Sequence, residues 1–410
     1  MTDEELHRVA NWIIGRSLDG ASETVLLQGF CEQCRAAGVD LSRAMLLVDT
    51  LHPVYEGRAF RWRNDGVEET AVIEYGPTGG TGIATENWQR SPFYRLLTTD
   101  AEQLRVRLTP GTTLEFKNLE TLRAEGETDY VLFAQEFASE GRIGELDCVY
   151  AQWTTRRSSG FTDDELKFLK KLMPCLALAI KCASLARIAG TLVDVYLGRD
   201  AGRRVLAGRI ARGVADRIHA VLWFSDLRGY TSITDTAPPD EIIPLLNDYA
   251  DAVISAIHEH GGEVLKLIGD GTLAIFRADD LADACRQALR TEAAMRARVA
   301  EVKARRAGEQ RPVTSVYVGL HVGEVFYGNI GSDDRLDFTV VGPAVNETSR
   351  IASMCRSVDR PVVLSADFVA ATPAAERASL VSVGRFALRG VGRAQELFTL
   401  DPALVQRTTA

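Results

Sequence analysis

The chain has 410 residues, 46% of them hydrophobic and 25% charged, with a formal net charge of −9. That length exceeds one ordinary hydrophobic core, so about two or three globular domains are expected. The acidic balance argues against nucleic acid or an anionic membrane surface as the main partner. No apolar run reads as long enough to span a bilayer, and the acidic, then amphipathic start MTDEELHRVANW is unlike a secretory signal. Seven scattered cysteines, most in apolar contexts, read as a reduced cytoplasmic protein.

Thr2 and Glu5 form a capping box before Leu6, Val9 and Ile13, predicting a first helix. A second is expected from about Ser22 to Ala37, stopping at Gly38. Its Cys31 and Cys34 sit on one apolar face with no second ligand pair nearby and read as core thiols. Strands are expected at 44–50, 57–63 and 70–75. The glycine-rich stretch 76–82 lacks the Lys-Ser/Thr of a phosphate loop, and no helix pattern opens at its end, so it reads as a mobile hairpin loop. A strand near 104–108, a short helix near 117–124 and strands at 129–137 and 146–154 follow.

Thr162 and Glu165 form another capping box, opening a long helix. Leu166, Leu169, Met173, Leu176 and Ile180 are spaced three, four, three, four, a coiled-coil seam that Pro174 is placed to bend. Leu185, Ile188, Leu192 and Val195 repeat the spacing after a phase shift. Packing on its own domain is the alternative for the first half; 162–197 is read as a dimerising connector. The stretch GFTDDELKFLKKLMPCLALAIK, closing this α/β layout, resembles the end of a GAF domain, which implies a sensor module open to a small-molecule regulator. Residues 198–218, rich in glycine and arginine, read as a hinge with a solvated charged face.

Beyond the hinge, His219–Phe224 is an apolar run with Asp226 at its exit. Glu263–Ile268 is another, followed by Gly269-Asp270-Gly271 and Thr272–Phe276. Strand, Gly-Asp-Gly, strand predicts a hairpin. If the two strands are neighbours, Asp226 and Asp270 stand side by side, each raising the other's pKa. Two hard carboxylates with open coordination positions suit Mg²⁺ or Mn²⁺ bound together with a polyphosphate. Taken singly, Asp270 fits a type I′ turn and Asp226 a cap. Lys266, four residues before Asp270, shares its face if the strand stays regular that far. Asn346 and Arg350 lie at i, i+4 on one predicted helix face, suited to a sugar or phosphate oxygen and an anion. A surface ion pair with Glu347 is the alternative for Arg350. Helices at 239–260, 280–304 and 343–355 alternate with strands at 313–321 and 361–364, hairpins at 263–277 and 322–341, and a final pair at 380–388 and 395–400. This predicts an α+β sandwich on a βαββαβ core.

Four segments, FSDLRGYT, EVLKLIGDG, GLHVGEVFYGNIG and DFTVVGPAVNETSR, together resemble the catalytic domain of class III nucleotidyl (adenylyl/guanylyl) cyclases. The resemblance implies a ferredoxin-like cyclase core over 216–402, after a GAF-like domain at 1–161 and a helical connector at 162–215. It implies that Asp226 and Asp270 hold two Mg²⁺ or Mn²⁺ ions and that the backbone of Gly229-Tyr230-Thr231 cradles phosphates. Lys266 matches the position that contacts the purine edge, where Lys goes with adenine. Thr339 matches the second base-reading position, and Thr there marks the class IIIb subgroup, some of whose members respond to bicarbonate. Asn346 orients the ribose, and Arg350 stabilises the transition state at the phosphate. Arg389 resembles a triphosphate contact that is usually Lys. ATP is the implied substrate, in a head-to-tail homodimer whose acids come from one chain and whose Lys266, Thr339, Asn346 and Arg350 come from the other. A cyclase for another nucleotide and a non-catalytic module of the same fold are the competing readings.

Overall fold

A computed structural model of the chain describes residues 1–66, 70–99, 101–138, 140, 143–144 and 146–401. It divides into two compact units, Met1–Leu192 and Val193–Ala410; the expected boundary at 402 lies outside the described residues.

The first unit contains α1 (Asp3–Leu18), α2 (Glu23–Ala36), β1 (Arg43–Asp49), β2 (Gly57–Arg63), β3 (Val72–Tyr75), α3 (Ile83–Gln89), α4 (Pro92–Leu97), β4 (Gln103–Arg107), α5 (Lys117–Ala124), β5 (Asp129–Glu136), β6 (Cys148–Thr155) and the start of α6 (Asp163–Leu197). The strands form one sheet in the order β3-β2-β1-β6-β5-β4, every pair antiparallel. The alternation of β1 and β6 splits their side chains between two cores. Leu46, Val48 and Trp153 face α1, α2 and α6, while Leu47, Cys148 and Tyr150 face α4 and α5. Both capping boxes form: Thr2 with Glu5, and Thr162 with Glu165, whose carboxylate also takes Arg157. Cys31 and Cys34 are fully buried beside Phe30, as core thiols.

Three expectations differ here. A helix, α3, does open directly after the glycine-rich loop, entered through Gly82 at φ 132°. The seam residues Leu166, Leu169, Met173, Leu176 and Ile180 are buried in this unit's own core, as is Ile188, so they are not an open dimer seam. The unit accordingly takes in most of the stretch read as a connector, and only Val195 of the second seam is well exposed. Thirdly, α6 is long and apolar enough to cross a bilayer by length and composition; its packed face is that of a core helix.

The second unit continues with α7 (Arg199–Leu206), β7 (Ala215–Leu227), α8 (Tyr230–Thr236), α9 (Pro239–Glu259), β8 (Glu263–Ile268), β9 (Gly271–Phe276), α10 (Leu281–Gly308), β10 (Val316–Gly331), β11 (Leu336–Val341), α11 (Pro343–Val358), β12 (Val362–Ser365), α12 (Ala366–Ala371), α13 (Ala374–Arg377), β13 (Leu380–Phe386) and β14 (Gln395–Leu400). Its sheet runs β13-β14-β12-β10-β7-β9-β8, with β11 paired to β10. The segment β7-α9-β8-β9-α10-β10 thus lies in the order fourth, first, third, second strand, with antiparallel neighbours. The hairpin expected at 322–341 forms between β10 and β11, but its first arm is continuous with the strand before it, so β10 is one long strand paired with β7 from Val316↔Leu227 to Gly328↔Ala215.

The run Ala220–Trp223 is unbroken because β7 is covered on both faces. Val221 and Trp223 pack against α9 and α10, while Leu222 joins Leu273, Ile275, Tyr327 and Phe338 on the other side. The arginine-rich hinge is largely exposed, as expected, with every residue from 206 to 215 open to solvent, but several of its arginines are ion-paired. Asp200 accepts from Arg204 (2.8 Å) and lies 2.7 Å from Arg277, Arg204 and Arg209 reach Asp216 (2.7 and 2.8 Å), and the Asp200 N–H donates to Glu263 (3.2 Å).

Helix α11 crosses β10 at Gly319, where a Cβ would stand 2.5 Å from the Ala352 nitrogen and 2.8 Å from its Cα. Overpacking of this kind costs about 1–3 kcal/mol. Gly319→Ala is expected to destabilise the second unit by about 1–3 kcal/mol or more, seen as a lower urea midpoint at unchanged slope. Ala352→Gly should not rescue it, because the clash is with backbone.

Candidate active site

The end of β7 carries Asp226 and the turn between β8 and β9 carries Asp270. Antiparallel pairing of β7 with β9, ending at Ser225↔Thr272, places those two positions side by side. A single backbone group joins them: the Leu227 N–H donates to Asp226 Oδ1 (3.1 Å) and to Asp270 Oδ2 (3.3 Å). Among the described residues neither carboxylate has a salt-bridge partner. Burial, and then the neighbouring Asp270, push the Asp226 carboxyl up to about 7. A two-carboxylate pocket with no protein cation fits a divalent cation whose other ligands are phosphate oxygens.

The turn is Gly269-Asp270, with Gly269 at φ 61° and Asp270 not in the positive region. Positive φ at the first position alone is the pattern of a II′ turn rather than the I′ form expected for Gly-Asp-Gly. The strand therefore stops at Ile268, and a bulge between Val264 and Lys266 has already shifted its register. The shared strand face expected for Lys266 and Asp270 does not carry through. Lys266 instead forms an ion pair with Asp337 of β11. Thr339 lies two residues further along β11, opposite Gly328.

Gly229 turns the chain just past Asp226 in the left-handed region (φ 69°) and precedes α8, which starts at Tyr230 and Thr231. Asn346 and Arg350 project from the early turns of α11, with Asn346 exposed. The alternative partner of Arg350 is otherwise engaged, since Glu347 accepts from Gln395. The Arg350 guanidinium lies against the loop that bears Arg389: a Cβ on Gly390 would stand 3.1 Å from Arg350 Nη1. Among the described residues no hydrogen bond or ion pair holds Arg350 or Arg389, leaving two cations available to an anion.

The predicted residues thus fall into three groups: Asp226 with Asp270, Lys266 near Thr339, and Arg350 beside the Arg389 loop. No hydrogen bond or ion pair among the described residues links the acid pair to the other two. Sequence reading missed Asp337. Its signal was its spacing, two residues before Thr339 and so on the same face of one strand.

Residues 215–401 match the family described as the adenylate and guanylate cyclase catalytic domain. An uncharacterized protein of Mycobacterium tuberculosis is 32% identical over 204 residues, covering 49% of this chain and 35% of its own length. An adenylate cyclase of Anabaena cylindrica is 33% identical over 157 residues, covering 38% of this chain and 31% of its own. The crystal structure of the adenylyl cyclase CyaB from P. aeruginosa overlays with a TM-score of 0.42 at 22% identity, over 46% of this chain and 95% of that one. The chain spans about a third of the length of the curated relatives it matches. Residues 215–401, a little under half of the chain, are thus similar to adenylate and guanylate cyclase catalytic domains.

A carboxyl that titrates near 7 when folded, against an ordinary 3.8, keeps its proton in the folded state over a window where the unfolded chain has lost it. Stability of the metal-free protein should therefore fall as pH rises from about 4 to 7. In chelator, Asp226→Asn is expected to flatten this slope and to raise the melting temperature at pH 7.5. Adding Mn²⁺ should then stabilise the parent and not the variant, as differential scanning calorimetry would show.

Proposed function

We propose that the second unit is an adenylate cyclase, converting ATP to 3′,5′-cyclic AMP and pyrophosphate. The observation that carries this reading is the Asp226–Asp270 pair, two carboxylates on one N–H with no protein cation to neutralise them. The proposed occupants are two Mg²⁺ or Mn²⁺ ions, which when bound supply Lewis acidity toward the ribose 3′-hydroxyl and the phosphate oxygens.

The remaining roles fall to the chain's own groups. Asp226 and Asp270 fix the position of positive charge at the sheet end. Asn346 holds the ribose so that its 3′-oxygen faces the α-phosphorus. As the 3′-hydroxyl releases its proton to solvent and the new P–O bond forms, the bond from the α-phosphorus to the bridging oxygen breaks, and pyrophosphate leaves with the electron pair. Arg350 meets charge growing on the phosphoryl oxygens, and Arg389 meets the triphosphate. The backbone of Gly229, Tyr230 and Thr231 cradles phosphate, and Lys266 and Thr339 read the base. Nucleophile and electrophile belong to one molecule, so positioning supplies much of the acceleration.

Among the described residues no hydrogen bond or ion pair joins the acid pair to Asn346, Arg350 or Lys266, which supports a head-to-tail homodimer, in which each site is built from two copies. The fourth-first-third-second strand order supports the ferredoxin-like reading of the core. The first unit is proposed as a GAF-like regulatory domain; its all-antiparallel sheet between two helical layers supports that reading.

A second reading, a cyclase for another nucleotide, draws on Thr339, whose hydroxyl both donates and accepts and so discriminates bases poorly. Purified full-length protein with Mn²⁺ and each nucleoside triphosphate should yield cyclic AMP and pyrophosphate from ATP; no cyclic product from any nucleotide would reject the enzyme reading. Arg350→Ala should lower kcat by about 100–1,000-fold, as for loss of one oxyanion-type contact.

A further inference from the structure

Strand β11 alternates strictly. Phe338 and Val340 are buried in the core with Leu222 and Ile275, so Asp337 and Thr339 stand on the opposite, open face. On that face the Asp337 carboxylate takes the Lys266 ammonium, reached across from β8. Both side chains keep more than a third of their surface exposed (47% and 40%). Such an exposed pair contributes little to stability, while it places an acceptor-only group, a donor-only group and a hydroxyl side by side.

The chemistry of those three groups is unequal. A lysine ammonium only donates, a carboxylate only accepts, and a threonine hydroxyl does both. The Watson–Crick edge of adenine presents an amino donor beside a ring-nitrogen acceptor. Guanine presents the reverse order, an oxygen acceptor beside an N–H donor. Lys266 alone serves either base, through the adenine ring nitrogen or the guanine oxygen, and Thr339 adapts to both. Only an acceptor that cannot donate penalises the wrong order, because it would face a second acceptor in a desolvated site.

We propose that Asp337 is a specificity-determining residue. Its carboxylate holds the Lys266 ammonium on the open face of β11 and makes the base site demand an amino group beside a ring-nitrogen acceptor. This rests on the reading of Lys266 as a base contact. The same pattern occurs on cytosine and is reversed on uracil, so discrimination by Asp337 follows the amino group and not ring size.

The test uses the full chain with Mn²⁺, and kcat/KM for ATP, GTP, CTP and UTP in the parent, Asp337→Asn, Asp337→Ala and Lys266→Ala, with equilibrium dialysis of ATP and GTP on the same proteins. Asp337→Asn replaces an acceptor oxygen by a donor at nearly the same volume, so the fold is kept; an unchanged melting temperature checks this. The ATP/GTP ratio is expected to fall at least tenfold in Asp337→Asn, mainly through loss of ATP, and the CTP/UTP ratio to fall with it. Ratios equal to the parent's in both kcat/KM and dialysis would overturn the inference. If Lys266→Ala shifts the ratio and neither Asp337 variant does, Lys266 reads the base and Asp337 does not. If Lys266→Ala also leaves the ratio unchanged, the base-reading role of that lysine fails, and this inference with it.

Discussion

Antiparallel pairing of β7 with β9 is the constraint on which the second unit's chemistry depends. It ends at Ser225↔Thr272, so the next residue of β7 and the turn before β9 come together at one end of the sheet. Both strands carry side chains into two separate cores, Trp223 and Phe276 on one side and Leu222 and Ile275 on the other. A slip of one residue would turn each of these to the wrong layer. The hydrophobic effect, acting on residues that do no chemistry, thereby holds two carboxyl groups side by side on one N–H.

A second layer of control lies at the unit's start. Helix α7 is tied by Asp200 to Arg277 just after β9, and by its backbone to Glu263, the first residue of β8. The hairpin that displays Asp270 at its turn is thus anchored at both of its outer ends. In the first unit, α6 buries one face, from Leu166 to Ile180 and again at Ile188, in the local core.

Much of this was legible in the sequence where local chemistry decides the outcome. The capping boxes at Thr2 and Thr162, the β8–β9 hairpin and the α11 face bearing Asn346 and Arg350 each follow from short-range patterns. What was not legible depends on distant partners. The heptad-like spacing of Leu166–Ile180 is the same whether the stripe meets a twin helix or its own sheet. The charge run at 199–212 is largely solvated, but its pairing depends on Asp216 of β7 and Glu263 of β8 as well as on its own Asp200. The continuity of β10 across 316–331 is set by β7 alongside it, and the β8 bulge between Val264 and Lys266 has no marker in composition. Asp337 was passed over because its meaning arises only when Lys266 stands opposite.

The contact of Gly319 with α11 has a wider consequence. Where two elements meet through side chains, methyl groups can rotate and the gap can breathe by an ångström. Here main chain lies directly on main chain, with no pliable filler between. The helix bearing Asn346 and Arg350 is in effect riveted to β10, and any rearrangement that tunes those groups must carry the strand along. Adjustment of the site is thereby directed to parts that lack such a rivet, among them the turn at Gly269 and the loop at Gly390.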